Sequence, residues 1–166
     1  MGLLLGPVAR IVSSPLRRAF DTAGALGTGL PIDVDERWIE VDYGEDEGRP
    51  IGEVPAERWA RWLADLTFRP PGGESLAEVG RRVALACEVL FEQPGAGARD
   101  PAGDVVVVSH VSPIKAAVAW ALQVEGTIAG HLHLSTGSVT RIGWGADRAV
   151  LHTYNALPPL SPELPA

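Results

Sequence analysis

Cysteine is nearly absent from this chain of 166 residues, with Cys87 the one example. An intramolecular disulfide is thereby excluded, and so is the paired-cysteine spacing of a structural zinc site. Cys87 sits in an apolar stretch of helical character, and a reducing cytoplasm is the expected setting. Positive charge is also scarce: 14 Lys and Arg stand against 21 Asp and Glu, a formal net charge of −7. An acidic surface repels a phosphate backbone, so nucleic acid is not an expected partner. No apolar run is long enough to cross a bilayer, and the start MGLLLGPVAR lacks the basic region and apolar length of a signal peptide. No membrane association is expected.

What is present describes a folded chain. A hydrophobic content of 46% with 21% charged residues is that of a globular protein, and the length suits one domain. We expect that domain to occupy residues 1–157, with Pro158, Pro159, Pro162 and Pro165 making residues 158–166 an extended tail.

The sharpest local signal is Val105-Val106-Val107-Val108-Ser109-His110-Val111-Ser112-Pro113. Four β-branched residues predict a strand buried on both faces, as in a parallel sheet covered by helices. Ser112 is then a suitable N-cap and Pro113 suits the first helical position of a helix running to Leu122. His110 therefore falls in a strand-to-helix turn at the carboxyl end of a strand, where ligands of open α/β sheets collect. Helix-start N–H groups and the macrodipole both favour an anion there. The plainer alternative is a histidine that only hydrogen-bonds the backbone of a tight turn.

The same grammar occurs earlier: a strand from Val8 to Ser13, Ser14 as N-cap, Pro15 at the first helical position, and a helix to about Ala25. Two such units imply parallel strands whose carboxyl ends share one edge of a sheet. Residues 31–55 read as a long loop anchored by Trp38, Ile39 and Tyr43, of the kind that forms lids or substrate walls. Trp59, Trp62, Leu63 and Leu66 have helical spacing. Ser75-Leu76-Ala77-Glu78 is a capping box that opens a helix with Leu76, Val79, Val83, Ala86 and Leu90 on one stripe. A Gly, Pro and Ala loop spans Gln93 to Gly103, and residues 138–144 and 149–154 predict a hairpin.

Three segments carry chemistry. Arg17 and Arg18 fall in the first turn of a helix, where a guanidinium fork matches phosphate and Asp21 can pair one arginine, leaving the other for a ligand. A solvated basic turn is the alternative. Glu74, after Gly72 and Gly73, has the placement of a general acid or simply of a charge favourable to a helix N-terminus. His131 and His133 would share one face if extended, but with no third ligand nearby they read as surface histidines and no metal is expected. His152 reads as structural, and Trp120 and Trp144 as core.

Together SSPLRRAFDTA, VDYGEDEGRPIGEV, PPGGESLAEV and VVVVSHVSPIKAA resemble, in order and spacing, successive motifs of the histidine phosphatase superfamily. That family includes phosphoglycerate mutases and α-ribazole phosphatases, and the resemblance runs from about Ala9 to Tyr154. It implies a phosphoglycerate mutase-like α/β/α sandwich and hydrolysis of a small phosphorylated metabolite without metal or cofactor. It makes Arg18 a phosphate-binding arginine, Glu74 the proton donor and His110 the second pocket histidine, with the Val111 N–H as a further anion contact. Family members usually carry glycine at the position of Val111, and tryptophan where Asp46 stands.

The family's opening Arg-His-Gly strand, which carries the attacking histidine, has no match, and no Arg-His pair occurs anywhere in the chain. Met1 to Gly6 resemble the end of the family's first helix, so the expectation is a domain truncated at its N-terminus by a misplaced or late start. The alternatives are an inactive pseudophosphatase serving as an anion-binding or partner-binding module, and a mutase-type phosphotransferase. A homodimer is left open.

Overall fold

The computed structural model describes residues 5–92, 103–145 and 147–157. Gln93 to Ala102, within the expected loop before the valine strand, and the proline-rich tail lie outside the described residues. The architecture is mixed α/β, as expected. Strands β1 (Val8–Ser13), β2 (Ile32–Val34) and β3 (Asp104–Val108) form a parallel sheet in the order β2-β1-β3. Ser13 lies opposite both Val34 and Val108, so the three carboxyl ends stand side by side. A separate antiparallel hairpin joins β4 (Val139–Trp144) to β5 (Ala149–Ala156), longer at its far end than the expected 149–154.

Side chains alternate across a strand, and β1 uses both faces. Ile11 and Val12 are each 1% exposed. Val12 belongs to the main core with Val79, Val83, Ala86 and Cys87 of helix α3 (Leu76–Glu92) and Ala117 of helix α4 (Val111–Leu122). Helix α1 (Arg17–Gly24) packs on the sheet through buried Ala19 and Ala23, outside that cluster. Helix α2 (Ala56–Ala64) contributes Trp62 to the main core, stacked with Trp59 at 5.1 Å between ring centroids.

Residues 31–55 contain more order than a loop. Short 3-10 turns at Glu36–Trp38, Gly44–Asp46 and Ile51–Glu53 fold the segment down, and Trp38 and Val41 are buried as its anchors. The capping box at Ser75 forms as the sequence predicts: the Ser75 N–H and Oγ donate to Glu78 Oε2 at 3.0 and 2.7 Å, and the Glu78 N–H donates back to Ser75 Oγ.

Four expectations are corrected. Helix α4 starts at Val111 with His110 as its N-cap residue, two positions before Ser112, so Pro113 lies within the first turn rather than opening it. Helix α1 starts late, with Leu16 as N-cap; Ser14 Oγ instead accepts from the Leu16 N–H at 3.3 Å. The valine strand is not buried on both faces: Val105 is 38% exposed and its neighbours are half-buried, because β3 pairs with β1 on one side and is an edge of the sheet among the described residues. Trp144, read as core, is 36% exposed at the hairpin end and rests on Phe91.

Candidate active site

The carboxyl ends of β1 and β3 and the start of α4 meet at one point, and His110 stands there, 9% exposed. Its Nε2 lies 2.7 Å from the hydroxyl of Ser14, itself fully buried at the end of β1. Parallel pairing makes this contact, because the Ser14 N–H donates to the carbonyl of Val108 and brings the two turns into register. The hydroxyl also accepts from Leu16, so one ring nitrogen of His110 is fixed by a residue that is itself fixed. Burial pushes the imidazole below the ordinary histidine range, opposed by Glu40 and assisted by the positive charges of Arg18 and Arg82. A neutral ring at physiological pH follows.

Arg18 is exposed on α1; its carbonyl accepts from Thr22 Oγ1 at 2.7 Å, and its guanidinium has no hydrogen-bonding partner among the described residues, whereas the Arg17 guanidinium pairs with Asp21 at 3.3 Å. The division between the two arginines is the one the sequence offers. Arg18 is thus a guanidinium near His110, available to a ligand.

Glu40 was not singled out by its sequence. It follows the buried Trp38 and precedes the buried Val41, and its Oε1 accepts from the N–H of Val41 at 2.9 Å and of Ser112 at 3.2 Å. A carboxylate therefore sits on the N-terminal turn of α4, beside His110. The available signal was an acid held between two apolar anchors.

Glu74 is held in an ion pair. Its two carboxylate oxygens accept from Arg82 Nε and Nη2 at 2.8 and 2.9 Å, a bidentate pair. The remaining Arg82 donors reach the backbone of the loop, Nη1 to the Arg37 carbonyl at 2.7 Å and Nη2 to the Glu40 carbonyl at 3.4 Å. A proton donor needs an O–H directed at the leaving group, and both Glu74 oxygens are engaged as acceptors. The acid that faces His110 is Glu40.

Val111 is 45% exposed, and its N–H is one of the first-turn donors that an α-helix leaves without an intrahelical acceptor. His131 ends a 3-10 turn, Gly126–His131, and His133 contacts Ser135 Oγ at 3.2 Å; both are exposed, and they do not form the extended pair considered from the sequence. His152 is exposed on β5. Among the described residues there is no cluster of three or more His, Cys, Asp or Glu able to hold a metal. Among the described residues no helix is long and apolar enough to cross a membrane.

Beside Ser112 opens a groove of about 510 Å³, lined by Tyr43, Trp59, Trp62, Trp120 and Lys115 among others. Asp46, where the family resemblance would place tryptophan, is a buried carboxylate gripped by Arg58 of α2 at 2.7 Å and approached by Arg49 at 3.5 Å. An ion pair takes the place of an aromatic wall.

The sequence pattern of the histidine phosphatase superfamily (branch 1) matches residues 3–157. A bifunctional protein of Mycobacterium tuberculosis is 39% identical over 151 residues, which cover 87% of this chain and 39% of that protein. The glucosyl-3-phosphoglycerate phosphatase of the same organism is 42% identical over 108 residues, 60% of this chain and 48% of the relative. The chain thus spans between two fifths and one half of the length of these curated relatives. The solved structure of a mycobacterial glucosyl-3-phosphoglycerate phosphatase in complex with VO3 superposes with a TM-score of 0.75 at 35% identity, covering 89% of this chain and 75% of that one. A match over nearly the whole chain, joined to a parallel sheet with His110 at its carboxyl edge, makes the chain a member of the histidine phosphatase superfamily.

Proposed function

We propose that this chain forms the phosphate pocket of a phosphomonoester hydrolase acting on a small phosphorylated metabolite. The observation that carries the reading is His110 at the start of α4 with the Glu40 carboxylate on the Ser112 N–H of the same turn, and the positive charge of Arg18 acting on the ring. Arg18 and helix N–H groups grip the equatorial oxygens of a transferring phosphoryl group, where charge spreads in the transition state. His110, held by Ser14, adds a hydrogen bond or, once protonated, a charge.

Glu40 takes the proton-donor role in place of Glu74. In the first step a histidine nitrogen lone pair forms a P–N bond, the ester P–O bond breaks, and the leaving oxygen takes the proton from the Glu40 carboxyl. In the second, the Glu40 carboxylate accepts a proton from water as the water oxygen attacks phosphorus. The P–N bond then breaks, and inorganic phosphate departs. The groove lined by Trp59, Trp62 and Trp120 gives an organic leaving group an apolar bed, with Lys115 as its cation. The relative that bears the name glucosyl-3-phosphoglycerate phosphatase makes a phosphorylated, sugar-bearing acid the first substrate to try. No Arg-His-Gly segment occurs in the 166 residues, so this reading assigns the attacking role to none of them. That same absence favours the second reading, a phosphate-binding module without turnover. The reaction requires neither metal nor cofactor, because cationic side chains supply the electrostatic stabilisation.

Purified chain of this length is expected to bind inorganic phosphate while hydrolysing p-nitrophenyl phosphate near background. Rapid turnover that His110→Ala abolishes, with no acid-labile phosphohistidine formed, would contradict the mechanism. A chain that neither binds phosphate nor turns over the ester would remove both readings.

A further inference from the structure

Glu74 and Arg82 make a set of contacts with one short segment that substrate binding does not explain. The Glu74 N–H donates to the carbonyl of Asp42 at 2.8 Å, and its carboxylate holds Arg82 by two bonds. Arg82 in turn donates to the carbonyls of Arg37 and Glu40. Residues 37–42 are therefore tied at three carbonyls by a single ion pair and its backbone. Glu40 lies inside the tied segment.

Gly73, just before Glu74, serves the same contact. A Cβ on Gly73 would come within 2.6 Å of the Asp42 carbonyl oxygen, and Gly44 faces the backbone of residues 71–73 just as closely. Glu45 adds a backbone bond to the Pro71 carbonyl at 2.9 Å. The two loops lie backbone against backbone, which side chains at these positions would prevent. On the other side, Ser109 Oγ donates to the Trp38 carbonyl at 2.7 Å, so the segment is also pinned to the turn that carries His110.

We infer that Glu74 and Arg82 are positioning residues: they brace residues 37–42 so that the Glu40 carboxylate stands on the first turn of α4, facing His110. The inference rests on Glu40 being the proton donor. Both partners are only about one-fifth exposed, at 18% and 21% of their side-chain surface, so the pair is sheltered enough to keep one geometry. A brace of this kind transmits through geometry. Loss of one member lets the loop shift while the Glu40 side chain itself stays intact.

The test is a double-mutant cycle read at His110. The charged groups facing that ring are Glu40, Arg18 and Arg82, with the Ser14 hydroxyl on Nε2. In nitrogen-15 NMR titrations of the whole chain, Glu40→Gln is expected to make His110 harder to protonate, because it removes the one negative neighbour. Glu74→Gln, whose own carboxylate contacts Arg82, is expected to act in the same direction by letting Glu40 move away. A change of about threefold or more in the protonated-to-neutral ratio at fixed pH is the expected size. In the Glu40→Gln background, Glu74→Gln is expected to have a clearly smaller effect, only its direct influence through Arg82 remaining, the signature of two residues acting through one contact. Arg82→Lys keeps the charge but loses the fork and should repeat the result; it carries the test if Glu74→Gln does not fold. An effect of Glu74→Gln that persists undiminished without Glu40, or no effect at all, overturns the brace. No effect of Glu40→Gln itself overturns instead the placement of Glu40 as the acid of the site.

Discussion

At the scale of single residues, the two neighbouring arginines make the clearest contrast. Arg17 is 92% exposed and pairs with Asp21, a surface contact worth about 0 to 1 kcal/mol, so Arg17→Ala should leave both stability and phosphate affinity nearly unchanged. Arg18→Ala should leave the melting temperature unchanged yet weaken phosphate binding roughly 10- to 100-fold, the cost of one or two charge-assisted hydrogen bonds at about 1.5 to 3 kcal/mol. Isothermal titration of both variants separates the two roles. His110 supplies the pH dependence. Burial holds its pKa below the ordinary value in the unliganded site, and a bound anion favours the protonated ring and raises it again. Anion binding must then take up a proton, and affinity climbs as pH falls through the window between the two values. Sulfate, which does not titrate near neutrality, should bind more tightly at pH 5.5 than at pH 8 through this site, and His110→Gln should flatten the dependence. The same burial makes the unfolded chain the better proton acceptor at this residue. Its contribution to stability is therefore present at neutral pH and is lost as pH falls through the ordinary histidine range.

At the scale of elements, the loops and caps set the geometry. Gly73→Ala forces a methyl group onto the Asp42 carbonyl and should destabilise the fold by about 1 to 3 kcal/mol, measured by urea denaturation, with Glu40 displaced as well. Ser75→Ala removes the capping hydroxyl of α3 and should cost about 1 kcal/mol with no effect on phosphate binding. The cap was legible because all its partners lie within four residues. The starts of α1 and α4 were read two residues off in opposite directions for a related reason. Ser-Pro marks where a helix is permitted to begin, but the two turns are held together by contacts 96 residues apart in sequence, Ser14 on His110. Ser14 Oγ meets both the histidine and the Leu16 N–H, and the helix begins after Leu16. Glu40 escaped the sequence reading for the same kind of cause, since its partner Ser112 is 72 residues away. The contact of Gly73 with the Asp42 backbone was not legible either, because its partner lies in a different loop.

At the scale of the whole molecule, the class of fold and the parallel strands, with His110 at their carboxyl edge, were legible from the two strand-to-helix units. Periodicity and turn chemistry are local, and the right-handed strand-to-helix crossover leaves little freedom in how such units pack. The exposure of Val105 was not legible. Four valines predict burial, but burial depends on which strands flank β3, and sheet order is not written in any one strand. The central claim is that Arg18 and His110, brought together from α1 and the start of α4, form one phosphate site. Isothermal titration of the purified chain with inorganic phosphate, alongside Arg18→Ala and His110→Ala, tests it most directly. The account predicts a single saturable site weakened at least about tenfold by either substitution, with both variants folded. Binding that is absent, or that survives both substitutions unchanged, contradicts it.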